Sequence, residues 1–171
     1  MKILNLHGFL GEADNKNYKA LCGLLPAEYI ISPQLDYKNS APRSILDALF
    51  AQVDADDFVF VGQSLGGWYA DQLSRRYHRP CILTNPCYFP HDLELIAESS
   101  IPAAFVAQYR DLSAQNRNEQ AFVLCSGADT VIPDNYANCI ALAQSVKRVS
   151  GSHSTINDMQ AHLAETLTMI E

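Results

Sequence analysis

Residues 57–78 hold a passage that few folds accommodate. The apolar run Asp57-Phe-Val-Phe-Val61 passes through Gly62-Gln63-Ser64-Leu65-Gly66 straight into an amphipathic stretch that ends near His78. An apolar run without strict alternation suits a strand covered on both faces, as in a parallel sheet. A GxSxG turn between such a strand and a helix has the form of a nucleophile elbow. Its glycines, two before and two after the serine, let strand and helix approach closely. The turn holds the serine in a strained conformation with its hydroxyl above the sheet. The plainer reading of the same residues is a glycine-rich βα turn with a helix-capping serine.

The rest of the chain keeps the same rhythm. Lys2–Leu6, Tyr29–Ser32, Phe58–Gly62, Cys81–Asn85, Ala121–Ser126 and Val146–Ser150 read as strands. Helical patterns cover Asn15–Leu25, Pro42–Ala51, Leu65–His78, Asp134–Gln144 and Thr155–Ile170. Pro42 suits a first helical position, and Thr155 with Asp158 has the spacing of a capping box. The alternation predicts an α/β fold, a mainly parallel sheet of about six strands flanked by helices, in one domain over residues 1–171. Pro86–Gln120 breaks the rhythm. Helical patterns around Asp92–Glu98 and Ala103–Tyr109 make it either a lid-like insertion over the active face or a plain long connection.

Composition narrows the function classes. Nineteen acidic against twelve basic residues give a net charge of −7, which argues against a nucleic-acid partner. No apolar run is long enough to span a membrane. The N-terminal apolar run is interrupted by Asn5 and His7 and followed by Glu12 and Asp14, so it reads as a strand rather than a secretion signal. The five cysteines, Cys22, Cys81, Cys87, Cys125 and Cys139, are odd in number and contain no CxxC pair. They read as buried free thiols in a reducing cytoplasm, not as a disulfide framework or a zinc site.

A serine hydroxyl attacks only when a base takes its proton and an acid orients that base. On this fold the three follow in the order Ser, Asp or Glu, His. Of five histidines, only His153 follows a late strand and precedes a helix, in Gly151-Ser152-His153-Ser154. Position after the Ala121–Ser126 strand favours Asp129 as the acid. Asp134 is the rival, with a sufficient role at a helix start. The loop Gly8-Phe9-Leu10-Gly11 offers the Phe9 amide, beside that of Leu65, as an oxyanion donor. His7 either buttresses that loop or is a satisfied core histidine.

These residues carry a resemblance. Leu4-Asn-Leu-His-Gly-Phe9, Val61-Gly-Gln-Ser-Leu-Gly-Gly-Trp-Tyr69, Asn85-Pro86, Gly127-Ala-Asp129 and Gly151-Ser-His153 resemble the YqiA-like esterase family, small bacterial serine hydrolases of the α/β-hydrolase superfamily. The similarity runs along nearly the whole chain. It implies the sheet order 2-1-3-4-5-6, a small lid, and a triad of Ser64 as nucleophile, Asp129 as acid and His153 as base, acting on acyl esters or thioesters with Phe9 and Leu65 amides as donors.

The expected activity is therefore a serine esterase or thioesterase that needs neither cofactor nor metal, with a small acyl ester or thioester as partner. A catalytically silent binding module and an acyltransferase with the same triad are the alternatives. Leu10, Trp68, Tyr88 and Phe89 are candidates for the substrate pocket, although Trp68 suits core packing at least as well.

Overall fold

A computed structural model describes residues 1–53 and 57–170. In chain order the elements are β1 (Lys2–Leu6), α1 (Lys16–Cys22), β2 (Ile30–Ile31), α2 (Pro42–Gln52), β3 (Phe58–Gln63), α3 (Leu65–Tyr77), β4 (Cys81–Thr84), α4 (Glu94–Ala97), α5 (Ala103–Leu112), β5 (Asn118–Ser126), α6 (Asn135–Leu142), β6 (Ala143–Val149), β7 (Gly151–Ser152), β8 (Thr155–Ile156) and α7 (Met159–Ile170). Single 3₁₀ turns lie at Ala27–Tyr29 and Pro90–Asp92.

Six strands form one parallel sheet in the order β2-β1-β3-β4-β5-β6. The period of two along each strand sorts its side chains onto two faces. Ile3, Val59, Val61, Ile82 and Leu124 pack with Leu21 of α1 and with Leu163 and Leu167 of α7. Leu4, Leu6, Phe58, Phe60, Leu83 and Val123 face the other way, against α2, α3, α5 and α6. Handedness explains the split. The step from β1 to β2 runs one way along the sheet and every later step runs the other. Right-handed crossovers therefore place α1 opposite α2, α3, α5 and α6. The order reverses at β1, so the crevice above the carboxyl ends of β1 and β3 is where a site belongs.

Several boundaries differ from the sequence reading. Thr155 does not open a helix: with Ile156 it forms β8, antiparallel to Gly151–Ser152, and α7 starts at Met159. The helical turn begins instead at Asp158 (φ +52°), whose C=O accepts the His162 N–H at 3.1 Å. β5 begins at Asn118, three residues early, and α6 runs directly into β6. Within 86–120, α5 joins the helical layer as the crossover between β4 and β5. Tyr109 and Tyr69 hydroxyls are hydrogen-bonded at 2.8 Å, and the Arg43 N–H donates to Gln108 Oε1 at 3.1 Å. Of the cysteines, four are buried and free, while Cys22 is exposed on α1 rather than buried.

Candidate active site

Ser64 stands between β3 and α3 with φ +51° and ψ −117°. Such a conformation costs a residue with a side chain on the order of 1–3 kcal/mol, so the surroundings must impose it. They do so from several sides. The Ser64 N–H donates to Thr84 C=O at 3.0 Å, and its C=O accepts from Cys87 N–H at 3.0 Å and Gly67 N–H at 2.9 Å. Gly67 itself lies so close to the loop after β4 that a Cβ there would meet the Pro86 ring at 2.9 Å.

His153 sits in the turn between β7 and β8. Its Nε2 is 2.9 Å from Ser64 Oγ and its Nδ1 is 2.8 Å from Asp129 Oδ2. Asp129 lies in the turn after β5. Its Oδ1 accepts the N–H groups of Val131 (2.9 Å) and Ile132 (3.2 Å), and Oδ2 also accepts from Asn135 Nδ2 at 3.1 Å. Burial alone would raise this carboxyl. The hydrogen bond and charge of His153, with the two backbone donors, outweigh it and hold the group below the usual carboxylate range. An ionised carboxylate only accepts, so Nδ1 carries the imidazole proton and Nε2 is left to accept from the serine hydroxyl. Asp134 is elsewhere: it precedes α6 in a left-handed conformation (φ +54°) and has no hydrogen bond to His153 among the described residues.

The loop after β1 closes the site from the other side. Gly11 N–H donates to Gly8 C=O at 3.0 Å, with Leu10 at φ +62°. A Cβ on Gly8 would stand 3.2 Å from Ser64 Cβ, so this loop lies directly against Ser64. Neither the Phe9 nor the Leu65 N–H has a hydrogen-bond acceptor among the described residues. Both remain free to donate.

His7 combines the two roles left open by the sequence. It is 1% exposed, its Nδ1 donates to Gly8 C=O at 2.8 Å, and its Nε2 accepts the Leu35 N–H at 2.9 Å. That pair of bonds requires the neutral ring, and burial lowers its pKa below 6.5. The unfolded chain thus takes up a proton at this position before the folded chain does. Its contribution to stability is present above pH ~6.5 and falls as pH drops toward the folded value. In an NMR titration the His7 ring should be less than half protonated at pH 6.5; half-protonation at or above that pH would contradict this arrangement.

The proposed pocket residues separate. Leu10 is 67% exposed beside the Gly8–Gly11 turn. Tyr88 and Phe89, with Cys87, Leu93 and Ile132, line an open cleft of about 300 Å³ between the loop after β4 and the turn after β5. Trp68 does not belong with them. It is 1% exposed, packs edge-on against Tyr69 and Tyr109, and donates its indole N–H to Ser113 Oγ at 3.0 Å. Asn135 and Asn85, which bond Asp129 and the His153 turn, were not singled out for a role by sequence. Among the described residues no cluster of three His, Cys, Asp or Glu side chains is placed to hold a metal, and no helix is long and apolar enough to cross a membrane.

A doubly covered parallel sheet with a serine elbow after β3 defines the α/β-hydrolase fold, and solved structures share it. Est1E from Butyrivibrio proteoclasticus, solved with ferulic acid bound, superposes with a TM-score of 0.71 at 14% identity, covering 99% of this chain and 89% of that one. An α/β-superfamily hydrolase from Oenococcus oeni gives 0.70 at 15% identity, covering 99% and 92%. The RedJ thioesterase of Streptomyces coelicolor gives 0.60 at 12% identity, covering 100% and 90%. The chain belongs to the uncharacterised protein family UPF0227, the YqiA family, whose model matches residues 2–170.

Proposed function

We propose that the chain is a serine hydrolase that cleaves acyl esters or thioesters. The observation that carries this reading is the hydrogen-bonded line from Asp129 through His153 to Ser64 on a strained elbow. As Ser64 Oγ attacks the acyl carbon, its proton passes to His153 Nε2, and the imidazolium that forms is stabilised by the ionised Asp129. The oxyanion accepts from the Phe9 and Leu65 amides; one such donor contributes about 3–4 kcal/mol. His153 then protonates the departing alkoxide or thiolate. A water repeats the sequence on the acyl-enzyme, restoring Ser64 and releasing the acid.

Leu10, Tyr88 and Phe89 are the side chains we assign to the substrate, with the cleft of about 300 Å³ taking one of its arms. That volume is at the lower end for ligand pockets. We take residues 1–171 as one domain and place it in the cytoplasm, where four buried free thiols would persist. Intact mass after brief exposure to a fluorophosphonate tests the reading. The native chain should gain one adduct that Ser64→Ala and His153→Ala do not; an unlabelled, folded native chain would count against an activated serine.

A further inference from the structure

Asn85 follows β4 and is 1% exposed. Its backbone is left-handed (φ +44°), a conformation asparagine adopts more readily than most L-residues. In sequence it lies between Thr84 and Cys87, the two residues whose backbones grip that of Ser64. Its N–H donates to Leu124 C=O at 3.0 Å, on the strand leading to Asp129. Its side chain is fully engaged. Oδ1 accepts the Ser126 N–H at 2.6 Å, while Nδ2 donates to Ser152 C=O at 3.0 Å and His153 C=O at 2.9 Å.

One buried amide therefore ties the end of β4, whose backbone on either side holds Ser64, to the acid's strand end and the turn carrying the base. That turn belongs to a hairpin with only two residue pairs, too short to hold a fixed geometry by itself. A second tie, Ser126 Oγ to Gly151 C=O at 2.6 Å, reaches the hairpin's base but not His153.

We propose that Asn85 is a positioning residue: its amide sets the His153 imidazole relative to Ser64 and Asp129. This rests on the serine-hydrolase reading. Asn85→Asp is the informative variant because it keeps the volume and the acceptor for Ser126. It replaces the donor with an oxygen facing two carbonyls. On p-nitrophenyl acetate at pH 8, kcat should fall roughly 10- to 100-fold, with KM within about twofold of native. Burial against carbonyls raises the pKa of the introduced carboxyl, and its neutral form can donate again. The deficit relative to native should thus narrow as pH is lowered. A merely structural loss would keep it constant.

Asn85→Gly tolerates the left-handed backbone and removes the amide without adding a group that titrates, so its deficit should be similar in size, independent of pH and again confined to kcat, with faster hydrogen exchange in the His153 turn. It decides the matter should the aspartate variant not fold. Folded variants with native kcat, or a loss confined to KM, would overturn the proposal. Hydrogen exchange over residues 150–157 supplies a readout that needs no turnover. If the native chain resists fluorophosphonate, the hydrolase reading fails, and unchanged exchange in the variants would sink the clamp separately.

Discussion

Asp129→Asn should lower kcat about 10⁴-fold while leaving the chain folded. The size follows from the proton positions. Val131 and Ile132 both donate backbone N–H groups to Oδ1, so the amide introduced at 129 must present its oxygen there. Its nitrogen then occupies the place of Oδ2, 2.8 Å from His153 Nδ1, and donates where the carboxylate accepted. The ring responds by carrying its proton on Nε2, the atom that must accept from Ser64. A 10⁴-fold loss corresponds to about 5.4 kcal/mol of transition-state stabilisation. Asp134→Asn, at an exposed residue that lines the cleft assigned to the substrate but has no bond to the imidazole, should leave kcat within about threefold of native, with any change falling on KM. Steady-state rates on an activated ester, with circular dichroism as the check on folding, read both. The reverse pattern would move the acid to Asp134.

The order Ser64, Asp129, His153 was legible because each residue follows a strand, and strand ends are where an α/β sheet presents its chemistry. The two-faced burial of Phe58–Val61 was legible for a similar reason: an unbroken apolar run has no side to give to water. The hairpin that carries His153 was not. Thr155 and Asp158 match a helix cap locally, but the chain turns back at His153–Ser154 so that Ser152 pairs with Thr155, and Gly151 at φ +129° admits the close approach of the Thr155 C=O. The Asn85 and Ser126 side chains, contributed from other strand ends, hydrogen-bond that hairpin. Tertiary partners of this kind leave no periodic signal. Trp68 illustrates the same limit. Sequence places it one turn from Ser64, but only the packing of α5 shows that its ring is enclosed by Tyr109 and bonded to Ser113.

Gly66→Ala should destabilise the chain by about 3 kcal/mol or more, although alanine is the better helix former by about 1 kcal/mol. The opposing effect is steric. A Cβ at Gly66 would stand 2.3 Å from Leu6 C=O and 2.4 Å from that of His7, both backbone oxygens. Leu6 pairs with Gly62 in the β1–β3 register and is completely buried, so it cannot yield without opening the centre of the sheet. Any displacement that relieves the clash also carries Gly8 away from Ser64, so the fluorophosphonate labelling rate should fall as well. Gly23→Ala is the control. There the nearest atoms to the new Cβ are the amide end of Gln160 at 2.7 Å, an exposed side chain that can swing aside for the loss of one exposed hydrogen bond to Gly23 C=O at 3.2 Å, and the cost should stay under about 1 kcal/mol. Urea unfolding of the three chains measures both differences. Equal stability of Gly66→Ala and the native chain would mean that close approach of α3 to β1 is not what sustains the strain at Ser64. The hydrogen bonds of Ser64 with Thr84, Gly67 and Cys87 would then have to hold the elbow.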